Sequence, residues 1–428
     1  MPAIKKYAIL GNMSPIQNSN SAPYGLDFGT SNSAIAARIN DEVKLVPVGQ
    51  HGEPIIKSVV YFPPDTDQVL VGDEAVERYV ELGMRGRLLR SLKTALKDQE
   101  FSGTMINGQR ETLESLIAHI LRALKSRADV DRGQASIAVT LGRPAVFSAD
   151  ATTDAMAEQR LRTAAVQAGF SEITFQLEPI AAALDYQRTL TKTETVLIAD
   201  LGGGTSDFTL IRLEPGAGGV FEVIGTSGVY IGGDSFDAEI MRRKIIKHFG
   251  AATEYVSGTK KLHVPHRLMD AVTDWHQLSF IKDDREEMDL IHHIRRQAID
   301  PAPLERLEAL IEHNLGFALS QAVETAKIAL SNQEESQINF EHPLLVVKEQ
   351  LTRQEFNEAI SPKAERIFAC VNALTTGHQI EIDALVLTGG TSKIPYIREW
   401  FEQRFGVEKI KNHDTFTSVA AGLAVGAL

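Results

Sequence analysis

A short glycine-rich turn occurs twice in this chain, and each copy stands between two apolar runs. The first copy is Gly25-Leu26-Asp27-Phe28-Gly29-Thr30-Ser31-Asn32-Ser33, and the second is Asp200-Leu201-Gly202-Gly203-Gly204-Thr205-Ser206-Asp207. Residues 196–199 lead into the second copy and residues 208–211 lead out of it. The pattern predicts a strand, a tight turn and a second strand at both places. We expect the two turns to face each other across a cleft.

The residue types of the two turns suit phosphate and a hydrated cation. Glycine lets backbone N–H groups approach phosphate oxygens, Thr and Ser hydroxyls add donors, and the Asp at each turn supplies charge for a hydrated Mg²⁺. A single Asp-Leu-Gly or Asp-Phe-Gly is more often an ordinary hairpin turn. Two copies favour a nucleotide site, as does a third buried-type strand that begins at residue 384 and runs into Gly389 and Gly390.

Composition and charge argue against several classes of function. The chain has 428 residues, 43% hydrophobic and 23% charged, which is ordinary for a soluble protein of two to four structural units. Its net charge of -12 argues against a nucleic-acid partner. Cys370 is the only cysteine, so a disulfide framework is impossible and we expect a cytoplasmic protein. No apolar run approaches the length of a membrane span, so we expect no membrane association.

Hydrophobic periodicity predicts the main helices and strands. The expected helices are residues 112–126, 154–168, 180–190, 238–249 and one long helix at 304–331. The expected strands include residues 59–62, 70–71, 135–140 and 173–177. Residues 251–303 are polar and uneven, and we interpret them as an insertion.

Six segments of the chain, in this order, resemble the nucleotide-binding domain of the seventy-kilodalton heat-shock chaperone (DnaK) family. Besides the two turns, they are Glu178-Pro179-Ile180-Ala181-Ala182-Ala183-Leu184, Gly232-Gly233-Asp234-Ser235-Phe236-Asp237, Glu324-Thr325-Ala326-Lys327-Ile328-Ala329-Leu330-Ser331 and Gly389-Gly390-Thr391-Ser392-Lys393-Ile394-Pro395. The similarity runs from Tyr24 to the end of the chain, and the chain resembles the short YegD-like members of the family. The resemblance implies an α/β actin-like ATPase fold, with two lobes of duplicated βββαβα units around a nucleotide cleft.

The resemblance also divides the chain into parts. We expect a flexible leader at residues 1–23, lobe I at 24–192, lobe II at 193–395 with an inserted helical subdomain at 237–330, and a C-terminal segment at 396–428 that returns to lobe I. The chain stops soon after a closing Gly-Ala helix, so we expect it to lack the hydrophobic linker and the β-rich peptide-binding domain of the family.

The resemblance implies a role for each candidate site residue. Asp27 and Asp200 would hold waters of Mg²⁺ bound to ATP or ADP, Lys93 resembles the catalytic lysine, and Glu178, Asp207 and Thr205 would act on the attacking water and the phosphate. The nucleotide contacts implied by the family are Gly29, Thr30, Ser31, Asn32, Gly202, Gly203, Gly204, Thr205, Gly232, Gly233, Glu324, Lys327, Ser331, Gly389, Gly390, Ser392 and Lys393.

Two of these assignments also have simpler interpretations, and two positions depart from the family. Lys93 could be a solvated lysine among the other basic residues of its segment, and Glu324 with Lys327 could form an ordinary exposed salt bridge. Val146 and Leu177 stand where the family has Tyr and Asn, so the coupling between the lobes is in question.

Three functions compete at this point. The leading hypothesis is a slow Mg²⁺-dependent ATPase whose lobe movement is read by an unknown protein partner or co-chaperone. A small-molecule kinase of the same superfamily would need a substrate pocket and a catalytic base, and the sequence shows no such signature. A filament-forming actin relative would lack the segments at Glu178 and at Gly232 in this form.

Overall fold

The computed structural model describes residues 23–39, 42–144, 147–148, 150–216, 221–378, 380–411 and 418–425. The expected leader, apart from Pro23, lies outside these residues, and so does Val146. The described chain forms two compact units. Unit 1 takes its residues from 1–232, 366–393 and 397–428, and unit 2 contains residues 233–365 and 394–396.

The described residues before position 190 form eleven strands and five helices. The strands are β1 (Tyr24–Phe28), β2 (Asn32–Ile39), β3 (Glu42–Leu45), β4 (Ile55–Lys57), β5 (Val59–Phe62), β6 (Leu70–Val71), β7 (Arg87–Arg90), β8 (Gly103–Ile106), β9 (Gln109–Thr112), β10 (Ala138–Arg143) and β11 (Glu172–Leu177). The helices are α1 (Asp73–Glu81), α2 (Leu92–Ala95), α3 (Leu113–Arg132), α4 (Ala151–Gln167) and α5 (Glu178–Gln187).

The remaining elements fall into three groups along the chain. Unit 1 continues with β12 (Glu194–Leu201), β13 (Ser206–Leu213) and β14 (Phe221–Val229). Unit 2 contains α6 (Gly233–Ile240), β15 (Glu254–Ser257), β16 (Lys260–His263), α7 (His266–Val272), α8 (Trp275–Asp283), α9 (Arg285–Gln297), α10 (Ala302–Glu312), α11 (Gly316–Ala329), β17 (Glu335–His342) and β18 (Leu345–Thr352). The last group is α12 (Arg353–His378), β19 (Ala384–Thr388), α13 (Pro395–Phe405), β20 (Ile410–Lys411) and α14 (Ser418–Val425).

Unit 1 contains two sheets that repeat one arrangement. The first sheet has the order β11-β10-β1-β2-β3, with β4 also paired to β2, and the second has the order β14-β13-β12-β19-β20. In each sheet a glycine turn joins two antiparallel strands into a hairpin. The hairpins are β1 with β2 and β12 with β13. The first strand of each hairpin also pairs in parallel with a later strand, β10 or β19. Both predicted strand–turn–strand units are therefore confirmed.

Helices cover these sheets through their apolar faces. The Thr112 hydroxyl caps α3 by accepting a hydrogen bond from the Ser115 amide at 3.1 Å, and Gly133 ends the helix with a φ of 70°. The buried face of α3 includes Leu113, Leu116, Ile117, Ile120, Leu121 and Leu124, so the predicted helical stripe is confirmed. Helix α14 lies so close to β1 and α5 that a Cβ on Gly25 would overlap the Ala420 carbonyl oxygen, and a Cβ on Gly422 would overlap that of Ala181.

Unit 2 corrects one helix prediction. The single helix expected at residues 304–331 is two helices, α10 and α11, because Asn314 adopts a left-handed φ of 54° between them. Asn is one of the few residues other than Gly that tolerate this conformation. The break lets Gly316 pack against α8, where an added Cβ would lie 2.8 Å from Leu278 Cδ1. Helical periodicity continued across the break, so the sequence pattern did not show it.

The polar segment 251–303 forms regular structure, the β15–β16 hairpin followed by α7, α8 and α9. The helix expected at 238–249 begins earlier, at Gly233, and continues after Ile240 as a π-helical turn over Met241–Ile245 and a 3-10 turn over Ile246–Phe249. Among the described helices, none combines the length and the apolar character that crossing a membrane requires.

Candidate functional site

The first glycine turn joins β1 to β2 and holds Asp27 next to the turn. Asp27 pairs with Ala34 across the hairpin, one position from the Phe28–Ser33 pair that closes it. An added Cβ on Gly29 would overlap the Asn32 carbonyl oxygen, so only glycine fits there. The Ser58 hydroxyl donates a hydrogen bond to the Gly29 carbonyl at 2.7 Å and fixes the turn. Thr30, Ser31 and Asn32 follow at its tip.

The second glycine turn joins β12 to β13 in the same way. Asp200 pairs directly with Asp207, and the Gly202 amide donates to the Thr205 carbonyl at 2.9 Å. Two glycines from other segments pack against this turn. A Cβ on Gly232 would overlap the Gly203 carbonyl, and a Cβ on Gly389, whose φ is 78°, would overlap the Leu201 carbonyl.

The tips of the two turns meet inside unit 1. A Cβ added to Gly204 would lie 3.5 Å from Thr30 Cγ2 and 3.7 Å from Thr94 Cγ2. The arrangement expected from the sequence, two turns facing each other, is therefore present. Thr94 brings a third segment to this point, directly after Lys93 in the chain.

Acidic groups crowd the space beside the turns. Burial first, and then the charges of Glu178 and Asp200, raise the pKa of Asp27 to about 8, against the opposing charge of Lys93. Burial and the charge of Glu178 together raise the pKa of Asp200 to about 6. Burial and Asp200 raise the pKa of Asp207 to about 7, against a hydrogen bond from Thr205. Each carboxyl holds its proton more tightly than usual, chiefly because burial disfavours its charged form and secondly because a neighbouring carboxylate repels that charge.

Lys93 is the cation of this cluster and is not a solvated lysine. Its Nζ lies 2.6 Å from Glu178 Oε1, and the two side chains are only 11% and 10% exposed. Burial favours the neutral amine, but the charges of Glu178, Asp27 and Asp200 outweigh it and raise the pKa of Lys93. The surface interpretation of Lys93 is therefore wrong.

Glu178 reaches this position because it is the first residue of α5. Pro179 follows at the start of the helix, where its missing N–H is not needed. The carboxylate thus lies at a helix N-terminus, which stabilises negative charge. A Cβ on Gly142, in the neighbouring strand β10, would lie 3.0 Å from Glu178 Cγ.

Three hydroxyl residues support the site without having been predicted as part of it. Thr388 Oγ1 donates to Asp200 Oδ1 at 3.0 Å, and Thr391 Oγ1 donates to the Gly202 carbonyl at 2.8 Å. Ser58 holds the first turn. Thr388 and Thr391 flank Gly389 and Gly390, so the third glycine segment was the signal that could have identified them. Ser58 has no comparable sequence signal.

Four predicted nucleotide contacts lie in unit 2. Gly233 begins α6, Glu324 and Lys327 lie on α11, and Ser331 follows that helix. Lys327 Nζ lies 2.7 Å from Asp237 Oδ2 and donates to the Gly233 carbonyl at 3.3 Å. Both side chains of the pair are 10% exposed. Lys327 therefore belongs to a buried pair with Asp237, and the exposed Glu324–Lys327 salt bridge is not what the structure contains.

The other predicted contacts near residue 390 belong to unit 1. A 3-10 turn spans Gly390–Lys393, within which Ser392 is buried and Lys393 is exposed. The Ser392 hydroxyl donates to the Gly389 carbonyl at 2.6 Å. Within the described ranges, no group of three or more His, Cys, Asp or Glu side chains is placed to ligate a metal ion directly.

Comparisons with known proteins point to one family. The family model described as Hsp70 protein matches residues 89–299 and 305–428. The chaperone protein DnaK of Picrophilus torridus is 27% identical over 417 residues, which are 94% of this chain and 57% of that protein. The chaperone protein DnaK of Thermoplasma acidophilum is 26% identical over 415 residues, again 94% of this chain and 57% of the relative.

The chain thus spans 57% of the length of these curated relatives. The family match covers most of the chain and includes β10 and β11 of the first five-strand path and the whole sheet β14-β13-β12-β19-β20. It confirms the α/β actin-like ATPase fold that the sequence predicted. The chain belongs to the Hsp70 family.

Proposed function

We propose that this protein binds ATP with Mg²⁺ and hydrolyses it slowly, and that a protein partner or co-chaperone reads which nucleotide is bound. One observation carries the proposal. Four carboxyl groups, one on a buried residue and three on half-buried residues, lie with a single ammonium group beside two glycine turns whose tips meet at Gly204 and Thr30. The names of the matched DnaK chaperones support the same class of function.

The residues fit a hydrated Mg²⁺ and a polyphosphate. Burial, and after it the charge of a neighbouring carboxylate, raises the pKa values of Asp27, Asp200 and Asp207. A divalent cation would supply positive charge that favours their ionised forms. Mg²⁺ commonly keeps several of its waters and takes few protein ligands. Glycine turns offer unobstructed N–H groups to phosphate oxygens.

In this proposal each residue has a defined task. Asp27 and Asp200 accept hydrogen bonds from waters of the cation, and Thr30, Ser31, Thr205 and the turn amides donate to the phosphates. Bound Mg²⁺ would neutralise phosphate charge during transfer of the terminal phosphoryl group to water. Glu178 and Asp207 accept hydrogen bonds from the attacking water and orient it. Lys93 stabilises the negative charge that develops on the phosphoryl oxygens.

The remaining predicted contacts would hold the nucleoside. In unit 2, Glu324, Lys327 and Ser331 are proposed to contact the adenosine. In unit 1, Gly389, Gly390, Ser392 and Lys393 are the other proposed nucleotide contacts. Asp237 would act through Lys327, because it fixes the ammonium group at 2.7 Å.

Phosphate release by wild type and by Lys93→Ala tests the proposal. We expect wild type to release phosphate from ATP slowly and only with Mg²⁺. Loss of one electrostatic stabiliser costs roughly 3 kcal/mol, so Lys93→Ala should slow turnover about a hundredfold while nucleotide affinity changes little. Lys97→Ala is the matched control, because Lys97 lies on the same segment but its Nζ stacks over Tyr230 at 3.5 Å.

Two results would contradict the assignment. Unchanged turnover in Lys93→Ala would remove Lys93 from the chemistry. Phosphate that appears on an added hexose, with little release to water, would instead identify a small-molecule kinase.

A further inference from the structure

Lys93 lies in a helical turn that is too short to be stable without contacts from other segments. Helix α2 has four residues, and helices of this length are unstable without outside contacts. It begins after Ser91, which adopts a left-handed φ of 56° that is uncommon for a residue other than glycine. The Thr94 hydroxyl donates to the Ser91 carbonyl at 2.7 Å. The position of the Lys93 ammonium must therefore depend on neighbouring segments.

Apolar anchors hold the two ends of this turn. Leu92 and Leu96 are buried in the core of unit 1. Beyond Leu96 the chain runs through residues 97–102 without a helix or strand. Backbone carbonyls that have no partner within a helix or sheet must find donors elsewhere.

One side chain from α4 supplies these donors. Arg160 Nη1 donates to the Asp98 carbonyl at 2.7 Å, with longer contacts to those of Ala95 at 3.3 Å and Leu96 at 3.4 Å. Arg160 Nη2 donates to the Phe101 carbonyl at 3.1 Å. Glu114 of α3 faces the Nε side of the guanidinium at 3.4 Å, and the Arg160 side chain is only 14% exposed. A planar group with five donors can hold four carbonyls at once in a way that Lys cannot.

We infer that Arg160 is the positioning residue for Lys93. It fixes the segment that follows α2, and this in turn fixes the Lys93 ammonium beside Glu178 and the two turns. The inference rests on the proposed role of Lys93 in hydrolysis. Arg160 has no contact with the glycine turns among its hydrogen bonds, so its effect on the reaction passes through the backbone from Ala95 to Phe101.

The expected size of the effect follows from the demands of the site. A catalytic group displaced by about 1 Å can lose about a hundredfold in rate. Nucleotide binding depends on the glycine turns and the carboxyl groups, which Arg160 does not touch. Arg160→Ala should therefore lower the hydrolysis rate by about tenfold to a hundredfold while the dissociation constant for ATP stays within about twofold of wild type.

The experiment compares Arg160→Ala, Arg160→Lys and Arg162→Ala with wild type. Arg162 is the matched control, because it also lies on α4 and donates to one backbone carbonyl, that of Ile173 at 2.9 Å. Two properties are measured: single-turnover ATP hydrolysis, and the rate at which acetic anhydride acetylates Lys93, followed by mass spectrometry. The buried, ion-paired Lys93 of wild type should react slowly, and Arg160→Ala should accelerate its acetylation several-fold.

Arg160→Lys keeps the charge and one or two donors, so it should restore part of both properties. Arg162→Ala should match wild type in both. An Arg160→Ala protein with wild-type hydrolysis and wild-type Lys93 acetylation would overturn the inference, and so would equal losses in Arg162→Ala. If wild type hydrolyses no ATP, the proposed function fails, yet the acetylation rates still decide whether Arg160 positions Lys93. If Arg160→Ala does not fold, Arg160→Lys supplies the same comparison.

Discussion

At the scale of single residues, the hydroxyl group of Thr388 lowers the pKa of a carboxyl group in the candidate site. Burial and the Glu178 charge raise the pKa of Asp200, the hydrogen bond from Thr388 lowers it, and the net value is about 6. Asp27, which lacks such a hydroxyl among the contributions to its shift, reaches about 8. Thr388 therefore helps Asp200 to be ionised near neutral pH, when a cation would need it.

Thr388→Val tests this role. Removal of the hydroxyl should raise the pKa of Asp200 further, so the carboxylate forms only at higher pH. We expect Mg²⁺-dependent ATP affinity to fall strongly near pH 6.5 and to recover toward pH 8.5. Thr388→Ser keeps the donor and should follow wild type. Calorimetric titrations across this range are the measurement, and identical pH profiles for Thr388→Val and wild type would show that the hydroxyl has no such effect.

At the scale of elements, the sequence predicted best where local chemistry decides the structure. Both glycine hairpins followed from their flanking apolar runs, since strand–turn–strand signals are local. The break between α10 and α11 was missed because it depends on one left-handed residue, Asn314, inside an unbroken helical pattern.

The residues of the candidate site likewise divide into those that the sequence could identify and those that it could not. Motif residues such as Asp27, Asp200 and Glu178 could be identified from the sequence. Ser58 and Arg160 could not, because their roles arise from contacts between segments far apart in the chain. Thr388 was indicated only indirectly, by the third glycine segment that it precedes. The burial of Lys93 likewise became clear only when Glu178 was placed 2.6 Å away.

The close packing of Gly232 against the second turn leads to a prediction at this scale. A Cβ there would overlap the Gly203 carbonyl, so Gly232→Ala must displace the turn. We expect it to lower the free energy of unfolding by about 1–3 kcal/mol and to abolish stabilisation by Mg²⁺-ATP. Gly377→Ala is the control, because no atom of another segment lies within 4 Å of a Cβ added there. Chemical denaturation with and without nucleotide measures both effects, and a Gly232→Ala protein that still responds to Mg²⁺-ATP would contradict the packing argument.

At the scale of the whole molecule, the buried carboxyls link stability to pH and to ligand. The folded state holds protons on Asp27, Asp200 and Asp207 with pKa values of about 8, 6 and 7, above the ordinary value of 3.8. Between about pH 4 and pH 8 these three carboxyl groups therefore bind more protons in the folded chain than in the unfolded chain. The stability of the ligand-free protein should fall as the pH rises through this range. Bound Mg²⁺ would reverse that loss by pairing with the ionised carboxylates.

The melting temperature at pH 8, with and without Mg²⁺-ATP, tests the central claim most directly. For wild type we expect a clear rise that needs both Mg²⁺ and ATP, since a ligand at a hundred times its dissociation constant adds about 2.7 kcal/mol. The double variant Asp27→Asn with Asp200→Asn should melt higher than wild type without ligand, because two poorly compensated buried carboxylates are gone, and should lose the Mg²⁺-dependent rise. A wild-type melting temperature that does not respond to Mg²⁺-ATP would contradict the nucleotide site itself.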